Sequence, residues 1–265
     1  MPPGHVSPSV AGATPEPVSP TAPALTGPVL MNQDWLDLTF LHWAVDPGRV
    51  AHLMPRGVRP DVHEATGSTY VGLVPFRMSR AAPFRLPGVT WLGTFLETNV
   101  RLYSVDRYGV RGVVFLSLDC ERVVVTAGAR AAFGTPYRWA RMRHRTRAVT
   151  GDGTDHTYTA RLRRPWPPHT SRVTVRVGEP RRPDDLDHFV SARWGLHTSV
   201  LGWPMYVPNH HEPWPLHDAE VVDLDDGLLG SVGFGDLAAR APDQVAFSPG
   251  VHTDFGLPRR LRPRP

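Results

Sequence analysis

Polar and apolar residues alternate along the segment that runs from residue 95 to residue 103. At the two-residue period of a strand, one face carries Phe95, Glu97, Asn99, Arg101 and Tyr103. The opposite face carries Leu96, Thr98, Val100 and Leu102. The run over 113–118 is apolar on nearly both faces and rich in β-branched and aromatic residues, which is typical of a strand covered on both sides. We therefore predict a hairpin over 95–119 with its loop at 105–109.

Two segments carry the end signals of helices. The Asp-Pro pair at 46–47 supplies an N-cap and a first-position proline for a short helix that runs to about residue 54. Over 183–194, capping aspartates precede an apolar face of helical spacing, and a glycine follows it. The run over 122–133 is ambiguous between strand and helix, but its small residues favour a helix. Further strands are predicted over 68–76, 154–163, 171–178, 203–207 and 217–224.

The two ends of the chain lack this patterning. Residues 1–30 contain eight prolines among small residues, which predicts a disordered leader. Because Met31 immediately precedes the patterned part, the leader is either a functional tail or an artefact of the assigned start site. Residues 251–265 form a basic segment with little apolar content, which predicts a tail. Between them, 31–250 shows no linker and no repeat, so we predict one β-rich domain with a few helices packed against it.

All 29 basic residues of the sequence are arginines, since lysine is absent. Imine formation with a carbonyl substrate requires a lysine amine, and a guanidinium cannot replace it. A GC-rich genome explains the arginines more simply than function does. The formal net charge is +4, and the arginines are dispersed without the aromatic interleaving of a nucleic-acid surface. We therefore do not expect a nucleic-acid partner.

The single cysteine, Cys120, excludes an intramolecular disulfide and a cysteine cluster for zinc within this sequence. With so little cysteine, a reducing cytoplasm is the expected location. We expect no membrane partner, because no apolar run approaches the roughly 20 residues that cross a bilayer. His210 and His211 are adjacent and point apart in an extended chain, so they lack the usual spacing of zinc ligands. No metal and no cofactor are predicted, and the sequence does not indicate an oligomeric state.

Seven short motifs follow one another between residues 40 and 216. They are Phe-Leu-His-Trp at 40–43, Val-Pro-Phe at 74–76, Glu-Thr-Asn-Val-Arg-Leu-Tyr at 97–103, Ser-Leu-Asp at 117–119, Gly-Ala-Arg at 128–130, Pro-Tyr at 136–137 and His-His-Glu-Pro-Trp-Pro-Leu at 210–216. Together they resemble the DUF2071 (YqjF-like) family of uncharacterised bacterial proteins, within the acetoacetate decarboxylase-like superfamily. The resemblance implies an α+β fold, mainly antiparallel, in which a cone-like β-barrel encloses a pocket and a few helices pack outside.

The decarboxylases of that superfamily act through a lysine imine, with nearby carboxylates and an arginine. Here the segment 95–97 resembles the one that supplies a pocket glutamate, which points to Glu97. The segment 128–136 resembles the helix that supplies the reactive lysine, but it holds Arg130 and no lysine. The resemblance therefore implies the pocket without the imine mechanism.

The polar face of the segment 95–103 is either the wet side of an amphipathic strand or the lining of the pocket. The resemblance favours the lining, where an unpaired charge is costly. The catalytic candidates are Glu97, which would exchange protons, and Arg101, which would hold a substrate carboxylate. The substrate-binding candidates are Asn99, Tyr103, Arg130, His42 and His210. A purely structural Glu-Arg pair, an ion pair of Arg130 with Asp119 and a core hydrogen bond of His42 are the alternatives.

Three functions stay open at this point. The first is a lysine-independent enzyme, of a non-Schiff-base lyase-like or hydrolase-like kind, that acts on a small keto or carboxylate metabolite. The second is a non-catalytic barrel that binds a small carboxylate or carbonyl ligand. The third, a nucleic-acid or interaction accessory, would show salt-sensitive binding to a polyanion. Within any of them, the proline-rich segment 210–216 is predicted to be a rigid loop whose Trp214 closes one end of the barrel.

Overall fold

The computed structural model describes residues 12–84, 86, 88, 93–122, 134–149 and 153–262. Within these ranges the strands are β1 (Val29–Val45), β2 (Val58–Pro60), β3 (Thr69–Pro83), β4 (Phe95–Asp106), β5 (Arg111–Cys120), β6 (Tyr137–Ala148), β7 (Thr154–Leu162), β8 (Thr170–Pro180), β9 (Gly195–Val200), β10 (Trp203–His211), β11 (His217–Asp226), β12 (Gln244–Gly256) and β13 (Arg259–Arg260). The helices are α1 (Pro47–Val50) and α2 (Asp185–Ser191), with 3-10 turns at Ala51–Leu53, Gly230–Val232 and Leu237–Ala239. No helix in the described ranges is long and apolar enough to cross a membrane.

The strands form one mixed sheet that returns on itself. Its order is β13-β10-β9-β5-β6-β7-β8-β11-β12-β1-β3-β4-β2, and additional pairings join β4 to β5 and β10 to β12. These pairings make a ring-like partial barrel. Because α1 has four residues and α2 has seven, the described chain is more nearly all-β than the α+β fold that was expected. The predicted helix at 122–133 falls largely on residues outside the described ranges.

Two of the strand pairings in the ring, which we call its seams, involve few residues. Strand β6 pairs in parallel with β5 only over 118–120 with 137–139, and β11 meets β12 at His217 and Phe247 in the described residues. Between the seams, β6, β7, β8 and β11 pair with one another over most of their lengths. Four neighbouring strands therefore join the rest of the ring through little backbone pairing.

The predicted hairpin is confirmed by the antiparallel pairing of β4 with β5. Its turn begins slightly later than expected, because β4 continues to Asp106. The carboxylate of Asp106 accepts the backbone N–H groups of Tyr108 and Val110 at 2.8 and 3.0 Å, and Gly109 has a φ of 86°. The register shifts between Val100 and Arg101, which marks a bulge in the hairpin.

Strands β6 and β12 are not among the predicted elements. In β6 exposed arginines alternate with buried residues such as Ala140 and Met142, so its apolar signal is weak. In β12 a Pro-Gly pair at 249–250 interrupts the pattern, and Gly250 has a φ of 131°. The expected rigid loop at 210–216 is shorter than predicted, since β10 continues to His211.

Both ends of the described chain lie against the domain. The N–H of Ala13 donates to the carbonyl of Arg107 at 3.1 Å, and the indole Nε1 of Trp194 donates to the carbonyl of Ser19 at 3.0 Å. Val18 packs beside an apolar cluster. The segment expected to be a basic tail contains the end of β12 and the whole of β13, which pairs with β10. The amino-acid composition of the two ends could not predict these contacts, because backbone groups make most of them.

Apolar clusters cover both faces of the β1, β3 and β4 part of the sheet. One face contributes Leu41, Leu73 and Leu102 to the largest cluster. The opposite face contributes residues such as Phe40 and Phe76 to a second cluster. Because neither face of these strands meets bulk water, the polar residues of β4 point into the interior of the protein.

Candidate functional site

A cavity of about 510 Å³ lies inside the ring, against the second cluster. Its polar lining residues are Gln33, Glu97, Asn99, Arg101, Thr135 and Tyr137. Its apolar lining comes mainly from β1, β3, β4, β5 and the loop that carries Trp214. Three of the polar residues stand at successive inward positions of β4, so one strand supplies half of the polar residues that line the cavity.

The side chain of Glu97 is 3% exposed and accepts a hydrogen bond from the Tyr137 hydroxyl at 3.1 Å. Burial raises the pKa of Glu97 to about 8, and the nearby charge of Asp119 adds to this effect. The hydrogen bond from Tyr137 acts in the opposite direction but is too weak to offset burial. At neutral pH this carboxyl is therefore mostly protonated and can itself donate a hydrogen bond.

Asp119 stands behind Glu97 on β5 and is fully buried. It accepts two hydrogen bonds from the guanidinium of Arg138, at 2.6 and 2.8 Å. This pair spans the short seam between β5 and β6, where the two residues are register partners. Burial raises the pKa of Asp119. Its partner is thus an arginine of β6, whereas Arg130, the partner suggested by the sequence, lies outside the described residues.

The amide of Asn99 is 5% exposed and has no hydrogen-bond partner among the described residues. Its Oδ1 atom is fully buried without a partner. An unsatisfied buried amide of this kind costs about 1–3 kcal/mol. A ligand in the cavity could offset that cost by supplying a complementary polar group.

Two of the three guanidinium nitrogens of Arg101 donate hydrogen bonds to the protein. Its Nε donates to the Tyr103 hydroxyl at 3.0 Å, and its Nη2 donates to the carbonyl of Val190 at 2.9 Å. Its guanidinium carbon lies 5.5 Å from the ring centres of Phe40 and Tyr103. Among the described residues, no carboxylate pairs with Arg101 and no group accepts from its Nη1. The cavity therefore contains a cationic group that has no counter-ion in the part of the chain that the structure describes.

A chain of hydrogen bonds extends from Arg101 into the core. The ring of His42 lies between the Tyr103 hydroxyl, 2.5 Å from Nε2, and Oε1 of Gln244, 2.5 Å from Nδ1. Nε2 of Gln244 in turn donates to Oδ1 of Asp187 at 2.8 Å. Because that carboxylate can only accept, the amide orientation is fixed, and His42 must donate from Nδ1 and accept at Nε2. Each group from Arg101 to Gln244 thus donates toward Asp187, which is the final acceptor.

This direction requires a neutral His42. Burial lowers the pKa of His42 to about 3, and the charges of Arg101 and Arg193 act in the same direction. The imidazole is fully buried and does not line the cavity. Its role in the structure is to accept from Tyr103, whose oxygen can then accept from Arg101.

The structure brings together some of the residues predicted for the site and separates others. Glu97, Asn99 and Arg101 line the cavity. Tyr103 and His42 stand behind Arg101 in the core. His210 is half-buried, faces β12 in register with Asp254 and does not line the cavity. Arg130 lies outside the described residues.

The buried histidine of the 210–211 pair is His211. Its ring centre lies 4.7 Å from those of Trp194 and Trp214, and burial lowers its pKa to about 4. Trp214 lines the cavity, is 8% exposed and stacks on Trp35 at 5.9 Å. The pair therefore contributes one ring to an aromatic cluster beside the cavity.

Several residues of the site and its support were missed by sequence reasoning. Tyr137 stands in the Pro-Tyr motif that carries the resemblance, and this was the only available signal for it. Gln244 and Asp187 gave no signal, because a single glutamine and a helix-capping aspartate have ordinary structural explanations. No group of three or more His, Cys, Asp or Glu side chains in the described part of the chain is arranged to hold a metal ion.

The family model DUF2071, described as an uncharacterized conserved protein, matches residues 32–252. The uncharacterized protein YqjF of Bacillus subtilis (strain 168) is 29% identical over 191 residues, which cover 72% of this chain and 76% of the relative. Both matches include β4 and the cavity residues that it carries.

Solved structures match the fold at low identity. An acetoacetate decarboxylase-like enzyme from Sphingomonas wittichii RW1 aligns with a TM-score of 0.59 and 12% identity, over 96% of this chain and 100% of that one. The enduracididine biosynthesis enzyme MppR, solved in complex with pyruvate, aligns with a TM-score of 0.56 and 15% identity, over 90% and 93% of the two chains. The chain therefore has, in broad outline, the fold of acetoacetate decarboxylase-like enzymes.

Proposed function

The chain belongs to the DUF2071 family, and we propose that its cavity binds a small carboxylate or carbonyl compound without covalent attachment and exchanges a proton with it at Glu97. The observation that carries this proposal is the presence, in one mostly apolar cavity, of an acid whose pKa is raised by burial and of a guanidinium that has no counter-ion among the described residues. The cavity would be the lumen of the cone-like barrel that the family resemblance implies. The pyruvate complex of MppR supports a ligand of this chemical class.

Arg101 would hold the carboxylate. A guanidinium in an apolar cavity is costly without an anion, and a carboxylate would supply the charge and accept from Nη1. The hydrogen bonds to Tyr103 and Val190 fix the guanidinium before the ligand arrives. Less conformational freedom is then lost on binding.

Glu97 would act on the carbonyl part of the ligand. A carboxyl whose pKa is about 8 has both its acid and its base form populated near neutral pH, which suits general acid–base catalysis. As an acid it would donate to the carbonyl oxygen, and as a base it would remove a proton from the neighbouring carbon. Since the sequence contains no lysine, neither step involves an imine at a side chain.

The second candidate is a binding protein without turnover. It is favoured by the unpartnered amide of Asn99, because this group and Arg101 suffice to bind a ligand and neither transfers a proton at neutral pH. On this alternative, Glu97 and Tyr137 form a buried structural hydrogen bond.

The test combines calorimetric binding with proton NMR in D₂O, using 2-oxobutanoate, 4-oxopentanoate and the longer 6-oxooctanoate. We expect binding of at least one acid and faster exchange of the protons next to its carbonyl for deuterium. Glu97→Gln should lose the exchange, whereas Glu220→Gln, an exposed glutamate of β11, should retain it. Binding without exchange would establish the second candidate. If no acid binds, or if binding does not depend on Arg101, the proposal is overturned.

A further inference from the structure

We infer that the ligand is an elongated oxo acid, with its carboxylate at Arg101, a carbonyl oxygen about 7 Å away at Glu97, and an apolar body. This inference rests on the proposed function and specifies the ligand class. Short acids, in which the carboxylate and the carbonyl are adjacent, would reach one of the two residues but not both.

The first argument is the spacing along β4. Arg101 and Glu97 are four residues apart on one strand, which corresponds to about 13 Å at a rise of ~3.3 Å per residue. The bonds of the guanidinium to Tyr103 and Val190 anchor it at residues other than Glu97, so we take the strand spacing as the distance between the two groups. After two hydrogen bonds of about 2.8 Å are subtracted, about 7 Å remains between the two ligand oxygens. In an extended chain a bond of ~1.5 Å advances about 1.25 Å along the axis, so that distance corresponds to roughly six bonds.

The second argument is the position of Asn99 between these two residues. Its amide faces the middle of that span and has no partner among the described residues. A ligand that reaches from Arg101 to Glu97 must pass this amide. A polar substituent in the middle of the ligand would therefore be bound as well.

The third argument is the size and chemistry of the cavity. Its volume of about 510 Å³ lies within the range of about 300–1,000 Å³ that is typical of sites for much larger ligands than a three-carbon acid. Most of its wall is apolar, with Phe76, Met78 and Phe95 around the Glu97 end and Phe115 and Leu196 contributing further apolar surface. A three-carbon acid would leave most of this wall without a contact. A longer chain or an aryl group would bury its surface there, with a gain of about fourfold in affinity per methylene.

The experiment compares two series of acids by calorimetry on the full chain. The first series is acetate, butyrate, hexanoate and octanoate, for which we expect tightening of about fourfold per methylene. The second is octanoate, 2-oxooctanoate and 6-oxooctanoate, in which only the 6-oxo group can reach Glu97 while the carboxylate stays at Arg101. We expect 6-oxooctanoate to bind about fivefold more tightly than the other two, as one added hydrogen bond would give. Glu97→Leu should abolish that difference, so that 6-oxooctanoate, 2-oxooctanoate and octanoate bind alike.

The outcomes separate this inference from the proposed function. If acids bind through Arg101 but affinity does not rise with chain length, or if 2-oxooctanoate and 6-oxooctanoate bind equally, the inference is overturned and the proposed function stands. If no acid of either series binds, both fail. The wild-type comparison of the two oxo acids needs no variant, so poor folding of Glu97→Leu would not prevent a decision.

Discussion

Nε2 of His42 accepts a hydrogen bond from the Tyr103 hydroxyl at 2.5 Å, deep in the core and outside the cavity. The same hydroxyl oxygen accepts from Nε of Arg101. The orientation of the cationic group in the cavity is therefore tied to a histidine that must stay neutral. His42 and Tyr103 act on the site through Arg101 and not through contact with a ligand.

Replacement of Tyr103 by phenylalanine tests this arrangement. Tyr103→Phe leaves Nε of Arg101 and Nε2 of His42 without their partner, and each unsatisfied buried group costs about 1–3 kcal/mol. We expect the free energy of unfolding in urea to fall by about 2–4 kcal/mol, and octanoate to bind several-fold more weakly. Tyr108→Phe is the matched control, because no described group bonds to the Tyr108 hydroxyl. Equal behaviour of the two variants would show that the hydroxyl does not position Arg101.

The raised pKa of Glu97 predicts a pH dependence of stability. In the folded protein this carboxyl keeps its proton up to a pKa of about 8, whereas the ordinary pKa of a glutamate is 4.5. Between these two values the folded state holds a proton that the unfolded state has lost, so stability falls as pH rises, by at most ~1.4 kcal/mol per pH unit. The contribution is fully present below pH 4.5 and is lost once pH passes about 8.

The measurement is urea unfolding of wild type and Glu97→Gln from pH 5 to pH 9. Subtraction of the two curves removes the titration of groups that the variants share. We expect the variant to gain stability relative to wild type as pH rises. Parallel curves would mean that Glu97 titrates normally in the folded protein.

Arg101→Lys tests the need for a planar guanidinium. Lysine keeps the charge but cannot donate to Tyr103, to Val190 and to a ligand carboxylate from one fixed fork. We expect octanoate to bind about tenfold more weakly or worse by calorimetry, which corresponds to roughly 1.4 kcal/mol. Arg145→Lys, on the exposed side of β6, should bind octanoate as wild type does. Retained affinity in Arg101→Lys would show that charge alone is sufficient.

Trp214 offers a test of the wall of the cavity. Its ring is 8% exposed, and its Nε1 donates to the carbonyl of Ser191 at 3.1 Å. Trp214→Ala should lower the free energy of unfolding by about 3 kcal/mol or more. Trp166→Ala, at an 84% exposed ring, should change it by less than about 0.5 kcal/mol. A small effect at both positions would contradict the placement of Trp214 in the core.

Deletion of the N-terminal segment tests whether it is a disordered leader, as its composition indicates, or stabilises the domain through its hydrogen bonds. Deletion of residues 1–28 removes the carbonyl that accepts from Trp194 and the backbone bonds at Ala13 and Glu16. We expect the free energy of unfolding in urea to be about 1–3 kcal/mol lower than after deletion of residues 1–11, which retains all of these contacts. An unchanged stability after the longer deletion would support the disordered leader that the composition indicates.

The fold was predictable where local pattern and tertiary environment agree. The alternation along β4, the apolar run of β5 and the caps of α2 each specify their element without information from the rest of the chain. Strand β12 fails this test because its proline and glycine resemble a turn, although its pairing with β1 accommodates both.

The site was predictable only along one strand. The period of two places Glu97, Asn99 and Arg101 on one face, and the structure puts that face in the cavity. The supporting groups could not be predicted, because the hydrogen bonds of His42 reach 61 residues to Tyr103 and 202 residues to Gln244. No local pattern records contacts at such separations. A raised pKa is equally invisible in the sequence, since it depends on burial.

The two short seams of the ring predict where the backbone pairing of the molecule opens first. Strands β6, β7, β8 and β11 pair extensively among themselves, but they meet β5 and β12 over a few residues. Amide hydrogens in these four strands should therefore exchange with solvent as one cooperative unit, at a lower free energy than global unfolding. Tyr137 belongs to that unit, and its hydroxyl donates to Glu97. Each opening of the unit would therefore break the hydrogen bond between Tyr137 and Glu97. The pKa of Glu97 and the opening of these four strands are therefore expected to be coupled.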